Sequence, residues 1–214
     1  MIPIVSIVGK SDSGKTTLIE KLIPELSGRG YRVATIKHDV HGFEVDREGK
    51  DSWRHRKAGA EAVVISSSRQ VALIKTVERD LSLLELRDRF IDEVDIVISE
   101  GFKKDSQPKV EVFRKEAHRE LLCSEKDKLV AVVANRKFDI RIPCFDLDDV
   151  KGVADLIEER FLRQKEEGDI SLMVDGKPIP LTPFIKTFIT GTIRGMISTL
   201  KGCQKSSRIR ITIG

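Results

Sequence analysis

Over roughly the first 165 residues, apolar runs of strand length alternate with amphipathic stretches of helix length. The runs Ile2–Val8, Arg32–Ile36, Ala62–Ser66, Val71–Ile74, Asp95–Ser99, Val110–Phe113 and Leu129–Ala134 predict strands. Helical periodicity predicts helices over Thr16–Leu26, Asp51–Ala58, Leu81–Ile91 and Val150–Gln164. The strand candidates are rich in Val and Ile with little alternation, the pattern of strands covered on both faces. Strands alternating with helices predict βαβ units, hence an α/β fold with a doubly wound, mostly parallel sheet. Ser27-Gly28-Arg29-Gly30 reads as a helix stop before the second strand, and Asp148 as a cap for the last helix.

After Gln164 the pattern changes. Lys165-Glu166-Glu167-Gly168-Asp169 is a charged, turn-like linker. Two short runs, Ile170–Val174 and Lys177–Leu181, flank Asp175-Gly176, a hairpin turn signal. Pro183 suits the first turn of a helix reaching about Leu200, with Gly202 as its stop, and Arg208–Ile213 alternates like an edge strand. The expected organisation is a nucleotide-binding domain over 1–165 and a small α+β appendage, hairpin–helix–strand, over 170–214. Such a module is short for independent stability, so it is expected to pack on the main domain or on another subunit.

The nucleotide-binding assignment rests on Gly9-Lys10-Ser11-Asp12-Ser13-Gly14-Lys15-Thr16, which fits G-x-x-x-x-G-K-[ST] between the first strand and the first helix. Glycines at both ends let the backbone turn its N–H groups inward on an anion, and the following helix adds the positive end of its dipole. Residues 9–16, with Thr17 behind them, are the candidate phosphate site; Lys15 reaches the β- and γ-phosphates and the Thr16 hydroxyl ligates Mg²⁺.

Composition narrows the ligand only a little. The chain has 214 residues, 40% hydrophobic and 34% charged, with a formal charge of +4. A mildly basic balance suits phosphate-bearing ligands, but with one Trp and one Tyr it does not indicate nucleic-acid binding. Cys123, Cys144 and Cys203 are far apart and in no metal spacing, which fits a reducing compartment. The chain shows no signal-like leader and no apolar run long enough to span a bilayer, so a cytoplasmic protein is expected.

Further candidates lie at the carboxyl ends of other strands, where open α/β sheets bind ligands. Glu100, in Ser99-Glu100-Gly101-Phe102-Lys103, is the first candidate for a Mg²⁺ carboxylate and Asp39 the second. The strand before Glu100 begins rather than ends with Asp95, unlike the usual Walker B arrangement. His38 and His41 near Asp39 and Asp46 are either loop histidines beside phosphate or, on weaker grounds, a zinc site. Lys10 is either an exposed loop lysine or a cation offered to a partner's nucleotide. After Leu129–Ala134, Asn135 and Asp139 stand one residue further apart than in the guanine-reading N-K-x-D run, leaving Asn135 as the base-side candidate. The cation-rich stretch Gly49–Ala60 is either a solvated helix face or the seat of a second anionic ligand.

Taken together, G-K-S-D-S-G-K-T-T-L at 9–18, I-K-H-D at 36–39, G-K-D-S-W-R-H-R-K-A-G-A at 49–60, S-E-G-F-K at 99–103 and F-D-L-D-D-V-K-G-V-A-D-L-I at 145–157 resemble the MobB family of molybdopterin-guanine dinucleotide biosynthesis adaptors. The resemblance covers roughly residues 2–165. It implies a P-loop NTPase fold, GTP and Mg²⁺ as ligands, weak GTP hydrolysis and a homodimer. It further implies a supporting role beside the guanylyltransferase that joins GMP to molybdopterin, with molybdopterin-bearing proteins as further partners. By the same match Lys15 and Glu100 would serve catalysis, and 49–60 the pterin or partner side. The tail lies outside that pattern and is expected to dock a partner or extend the dimer. Three other classes share the phosphate loop: a small-molecule kinase, a metal-insertion GTPase chaperone, and a nucleotide-dependent binding module without turnover.

Overall fold

The computed structural model describes the chain except residues 40–41, 118, 164–169, 171, 175–176, 204–208, 210 and 212–214. It divides into two compact units, Ile2–Leu162 and Arg163–Gly214, the second including Met1.

The first unit is built on β1 (Ile4–Val8), β2 (Val33–Lys37), β5 (Ile96–Glu100), β6 (Lys109–Phe113), β7 (Leu129–Ala134) and β8 (Cys144–Phe145). They form one six-stranded sheet in the order β2-β5-β1-β6-β7-β8. Every pairing in it is parallel. Parallel neighbours need crossovers: α1 (Lys15–Gly28) lies on the one from β1 to β2 and α3 (Leu83–Phe90) on the one from β2 to β5, while α4 (Val150–Ile157) follows β8. On one face Val5, Ile7, Ile96, Ile98, Val110, Val112, Ala131 and Val133 pack against α1 and α4 through Leu18, Leu22, Leu26, Val153 and Ile157. On the other, Ile4 and Val97 meet Leu83 of α3, while Val8, Phe113, Leu129 and Val132 cluster with Cys123. Two-sided burial explains the near-continuous Val/Ile runs.

The buried polar groups of this second face are satisfied from nearby. Ser99 donates its hydroxyl to Ser6 at 2.8 Å. The ammonium of Lys109, on a residue only 2% exposed, donates to the carbonyls of Asp105, Gln107 and Asp127. The fully buried Glu111 carboxylate accepts from the Leu122 and Cys123 amides at 2.7 and 2.9 Å. Burial pushes its pKa up, and those two amides pull it back.

Several elements differ from the periodicity-based expectation. Between β2 and β5, β3 (Ala62–Ser66) and β4 (Val71–Lys75) form a separate antiparallel pair outside the parallel sheet. The third helix starts at Leu83 and not Leu81, because Ser82 caps it: the Ser82 hydroxyl accepts from the Glu85 amide and the Glu85 carboxylate reaches back. Asp149, not Asp148, caps α4, accepting from the Gly152 amide at 3.0 Å. Asp148 instead takes the Lys21 ammonium at 2.7 Å. The last helix of the unit is α-helical to Ile157 and turns to a π-helical stretch over Glu158–Leu162. The two-residue strand β8 is too short to show in a hydrophobic pattern.

The second unit holds an antiparallel pair, β9 (Leu172–Val174) with β10 (Lys177–Ile179), and α5 (Pro183–Ser198). Thr182 caps α5 and Pro183 occupies its first turn, as expected. The expected strand at 208–213 falls mainly outside the described residues. Among the described residues no helix is long and apolar enough to cross a membrane.

Candidate functional site

The phosphate loop runs from the end of β1 into α1, and its backbone shows why this sequence is needed. Gly9 has φ +151°, and a side chain there would put its Cβ 2.5 Å from the Val112 carbonyl oxygen of β6. Gly14 has φ +96° and forms the N-cap of α1. Asp12 sits at φ 60°, a left-handed conformation that Asp tolerates through its short polar side chain. No side chain caps α1 and its first turn holds no acidic residue. Its leading N–H groups therefore lack the competitor that most helices carry, which leaves them to an anionic ligand.

The side chains converge on the same place. Lys15 donates to the Lys10 carbonyl at 2.7 Å, holding its ammonium against the loop. The Thr16 hydroxyl donates to Glu100 Oε1 at 3.0 Å, so a residue from the start of α1 meets one from the end of β5, 84 positions later in the chain. A hydroxyl and a carboxylate oxygen at the edge of a phosphate cradle are the hard donors that Mg²⁺ prefers. Ser13 is fully buried and its Oγ has no partner among the described residues, an unmet polar atom inside the loop.

The other candidates fall around this centre. Asp39 is exposed, two residues beyond the end of β2. His38 Nε2 lies 2.7 Å from Asp80 Oδ2, and its ring packs against Phe102 with centroids 4.7 Å apart. His41 lies outside the described residues, and among those described no group of three or more His, Cys, Asp or Glu is placed to hold a metal. Thr17 is exposed beside Thr16 at the start of α1. At the end of β7, Asn135 Oδ1 accepts from the Lys115 amide at 3.0 Å and its Nδ2 donates to Glu116 at 2.9 Å. That bond, first among several causes, holds the Glu116 carboxyl below its ordinary range. Helix α2 (Asp51–Lys57) buries no residue; Lys57 stacks on Trp53 with its ammonium 5.3 Å from the ring centroid, and Ser52 donates to Asp46 at 2.7 Å.

One residue beside the loop went unread in the sequence. Arg114 follows β6 directly and donates from Nε to the Ser13 carbonyl at 3.1 Å. Lys10, Ser11, Asp12, Arg114, Glu116 and Ala117 line an open cavity of about 500 Å³. The signal was available: Arg114 stands at the carboxyl end of a central strand, the criterion that selected Glu100.

A six-stranded parallel sheet with a phosphate loop between its central strand and first helix defines the α/β class of P-loop nucleotide-binding proteins. Within it, residues 4–135 match the MobB family, described as molybdopterin guanine dinucleotide synthesis protein B, and the chain belongs to that family. A Haemophilus influenzae molybdopterin-guanine dinucleotide biosynthesis adapter protein is 41% identical over 159 residues, covering 73% of this chain and 88% of its own length. A Methanocaldococcus jannaschii relative is 28% identical over 238 residues, covering 98% of this chain and 97% of itself. The crystal structure of Bacillus subtilis MobB superposes with a TM-score of 0.58 at 30% identity, covering 74% of this chain and 98% of that one. These similarities place the chain among the adapter proteins of molybdopterin guanine dinucleotide biosynthesis.

Proposed function

We propose that this chain is a cytoplasmic GTP-binding adaptor that assists the guanylyltransferase of molybdopterin guanine dinucleotide assembly. The observation that carries the reading is the meeting of Thr16 and Glu100 at the edge of an uncapped phosphate loop. Lys15 and the loop N–H groups would hold the β- and γ-phosphates, Gly9 to Thr17 forming the cradle. Mg²⁺, held by Thr16 and Glu100 with Asp39 as a second carboxylate, would neutralise phosphate charge. What the chain's own residues supply is positioning: Lys15 offsets negative charge, and Glu100 fixes the Thr16 hydroxyl. Neither Lys15 nor Glu100 generates a strong nucleophile there, which supports slow hydrolysis and a role in delivery.

Family membership and the resemblance over 49–60 support a homodimer and a partner or pterin face around α2. The exposed apolar residues of the adjacent antiparallel pair support the same reading, with Val64 62% and Val71 70% exposed. The module over 170–214 would extend these contacts, with molybdopterin-bearing proteins among the partners.

Calorimetric titration of the full chain with GTP and with ATP, each with and without Mg²⁺, tests the nucleotide reading. Mg²⁺-dependent GTP binding, at least about tenfold tighter than ATP, is expected, since one added base-specific contact is worth that much. Tighter ATP binding overturns GTP as the ligand, and no binding of either overturns the phosphate-loop reading.

A further inference from the structure

Arg114, directly after β6, is held against the phosphate loop. Its Nε is fixed on the Ser13 carbonyl, and its guanidinium lies 3.3–3.8 Å from the position of a Cβ on Gly14. The side chain thus rests on the loop at the start of α1, half-buried, with no partner for its two terminal nitrogens among the described residues. Both terminal nitrogens are donors only.

The direction of the ligand follows from the sheet. Strands β5 and β6 flank β1 on opposite sides. Thr16 and Glu100 mark the β5 side, which is where the metal and terminal phosphate belong. The nucleoside then leaves over the ends of β6, β7 and β8, and Arg114 is the first side chain on that path. Asn135, the other candidate there, has both ends of its amide engaged by Lys115 and Glu116.

We propose that Arg114 reads the base, donating from its terminal nitrogens to O6 and N7 of guanine. Guanine presents two acceptors on that edge, whereas adenine presents N7 beside an amino donor, which a guanidinium cannot accept. Preference for guanine then comes from the residue after β6, and not from the degenerate Asn135…Asp139 spacing. The inference rests on the nucleotide-binding reading above.

Inosine triphosphate separates the two modes of reading, because it keeps O6 and N7 but lacks the N2 amino group that a carboxylate would read. The full-length parent and its R114A and R114K variants are titrated with GTP, inosine triphosphate and ATP in Mg²⁺. The parent is expected to bind GTP and inosine triphosphate alike and ATP more weakly. R114A should lose about tenfold to a hundredfold for the first two, the range of a bidentate purine contact, and little for ATP. R114K, which keeps a cation beside Ser13 without the planar fork, should retain ATP affinity and still lose the guanine preference. Three outcomes overturn the inference: an unchanged GTP-to-ATP ratio in R114A or R114K, equal loss for all three nucleotides, or inosine triphosphate binding far more weakly than GTP in the parent. If the parent binds no nucleotide, the phosphate-loop reading falls with it. If it binds nucleotides without regard to base, the phosphate-loop reading stands while the expected guanine preference and the Arg114 inference fall. If it prefers GTP but the R114A and R114K variants keep that preference, only the Arg114 inference falls.

Discussion

Glu100 combines a place fixed by the sheet with a side chain that reaches the phosphate loop. It ends β5 in register with Ile7 of β1 and Lys37 of β2, so the sheet fixes its backbone, while its side chain accepts from Thr16. Replacing it by Gln keeps the shape and an acceptor but removes the charge a divalent cation needs. Glu100→Gln should therefore weaken GTP binding in Mg²⁺ by about tenfold, the scale of one charge-assisted contact, and leave binding in excess EDTA unchanged. Equal loss with and without metal would mean that Glu100 serves only to hold Thr16. This residue was legible because it ended an apolar run and preceded Gly101. Arg114 met the same positional criterion, yet a cation after a strand is so often merely solvated that only its bond to the Ser13 carbonyl distinguishes it.

Helix α3 shows the same contrast at the level of the element. Leu81 is buried, and counting it with the periodic residues moved the predicted start two residues too early. Ser82 and Glu85 had the S-x-x-E spacing of a capping box, and that spacing, not the apolar pattern, sets the boundary. The Glu85 carboxyl is held down at about 2, first by the Arg79 guanidinium and then by the Ser82 amide and hydroxyl. A depressed folded-state pKa means stability that is fully present above the unfolded value, near 4.3, and lost as pH falls toward 2. Glu85→Gln should accordingly flatten the stability-versus-pH profile between about pH 4.5 and 2, measured by denaturant titration at fixed ionic strength. Replacing Ser82 by Ala should lower stability by roughly 1 kcal/mol above that range, the usual worth of an N-cap, and by less toward pH 2, where the protonated Glu85 carboxyl draws less on the Ser82 hydroxyl. The antiparallel pairing of β3 with β4 was readable on similar grounds, since Ser67–Gln70 is too short to carry a parallel crossover. What the sequence could not show was that this pair leaves the main sheet, because register and edge are decided by long-range contacts.

For the whole molecule, the question is which part carries the fold. All three clusters of buried apolar residues lie within Ile2–Leu162, and Leu162 at the end of the π-helical stretch is still part of the largest. Polar ties close the same unit: Arg29 at the end of α1 reaches Glu25, Asp155 and Glu158, and Tyr31 also donates to Glu158. In α5, by contrast, no residue is buried, and Phe184 and Phe188 are 77% and 63% exposed. The Haemophilus influenzae adapter covers only 73% of this chain, whereas the archaeal relative covers 98%. A chain ended after Leu162 should thus unfold cooperatively, keep its melting temperature within a few degrees and bind nucleotide as the full chain does. The complementary piece, residues 163–214, should give no cooperative transition by circular dichroism, because a helix with no buried face is marginal in water. If instead the shortened chain melts broadly or loses nucleotide affinity, the tail belongs to the phosphate site and not to the partner-facing equipment of the adaptor. The two results separate a tail that supports the phosphate site from one that is dispensable for both fold and ligand affinity, and only the second leaves it free for the docking role proposed above.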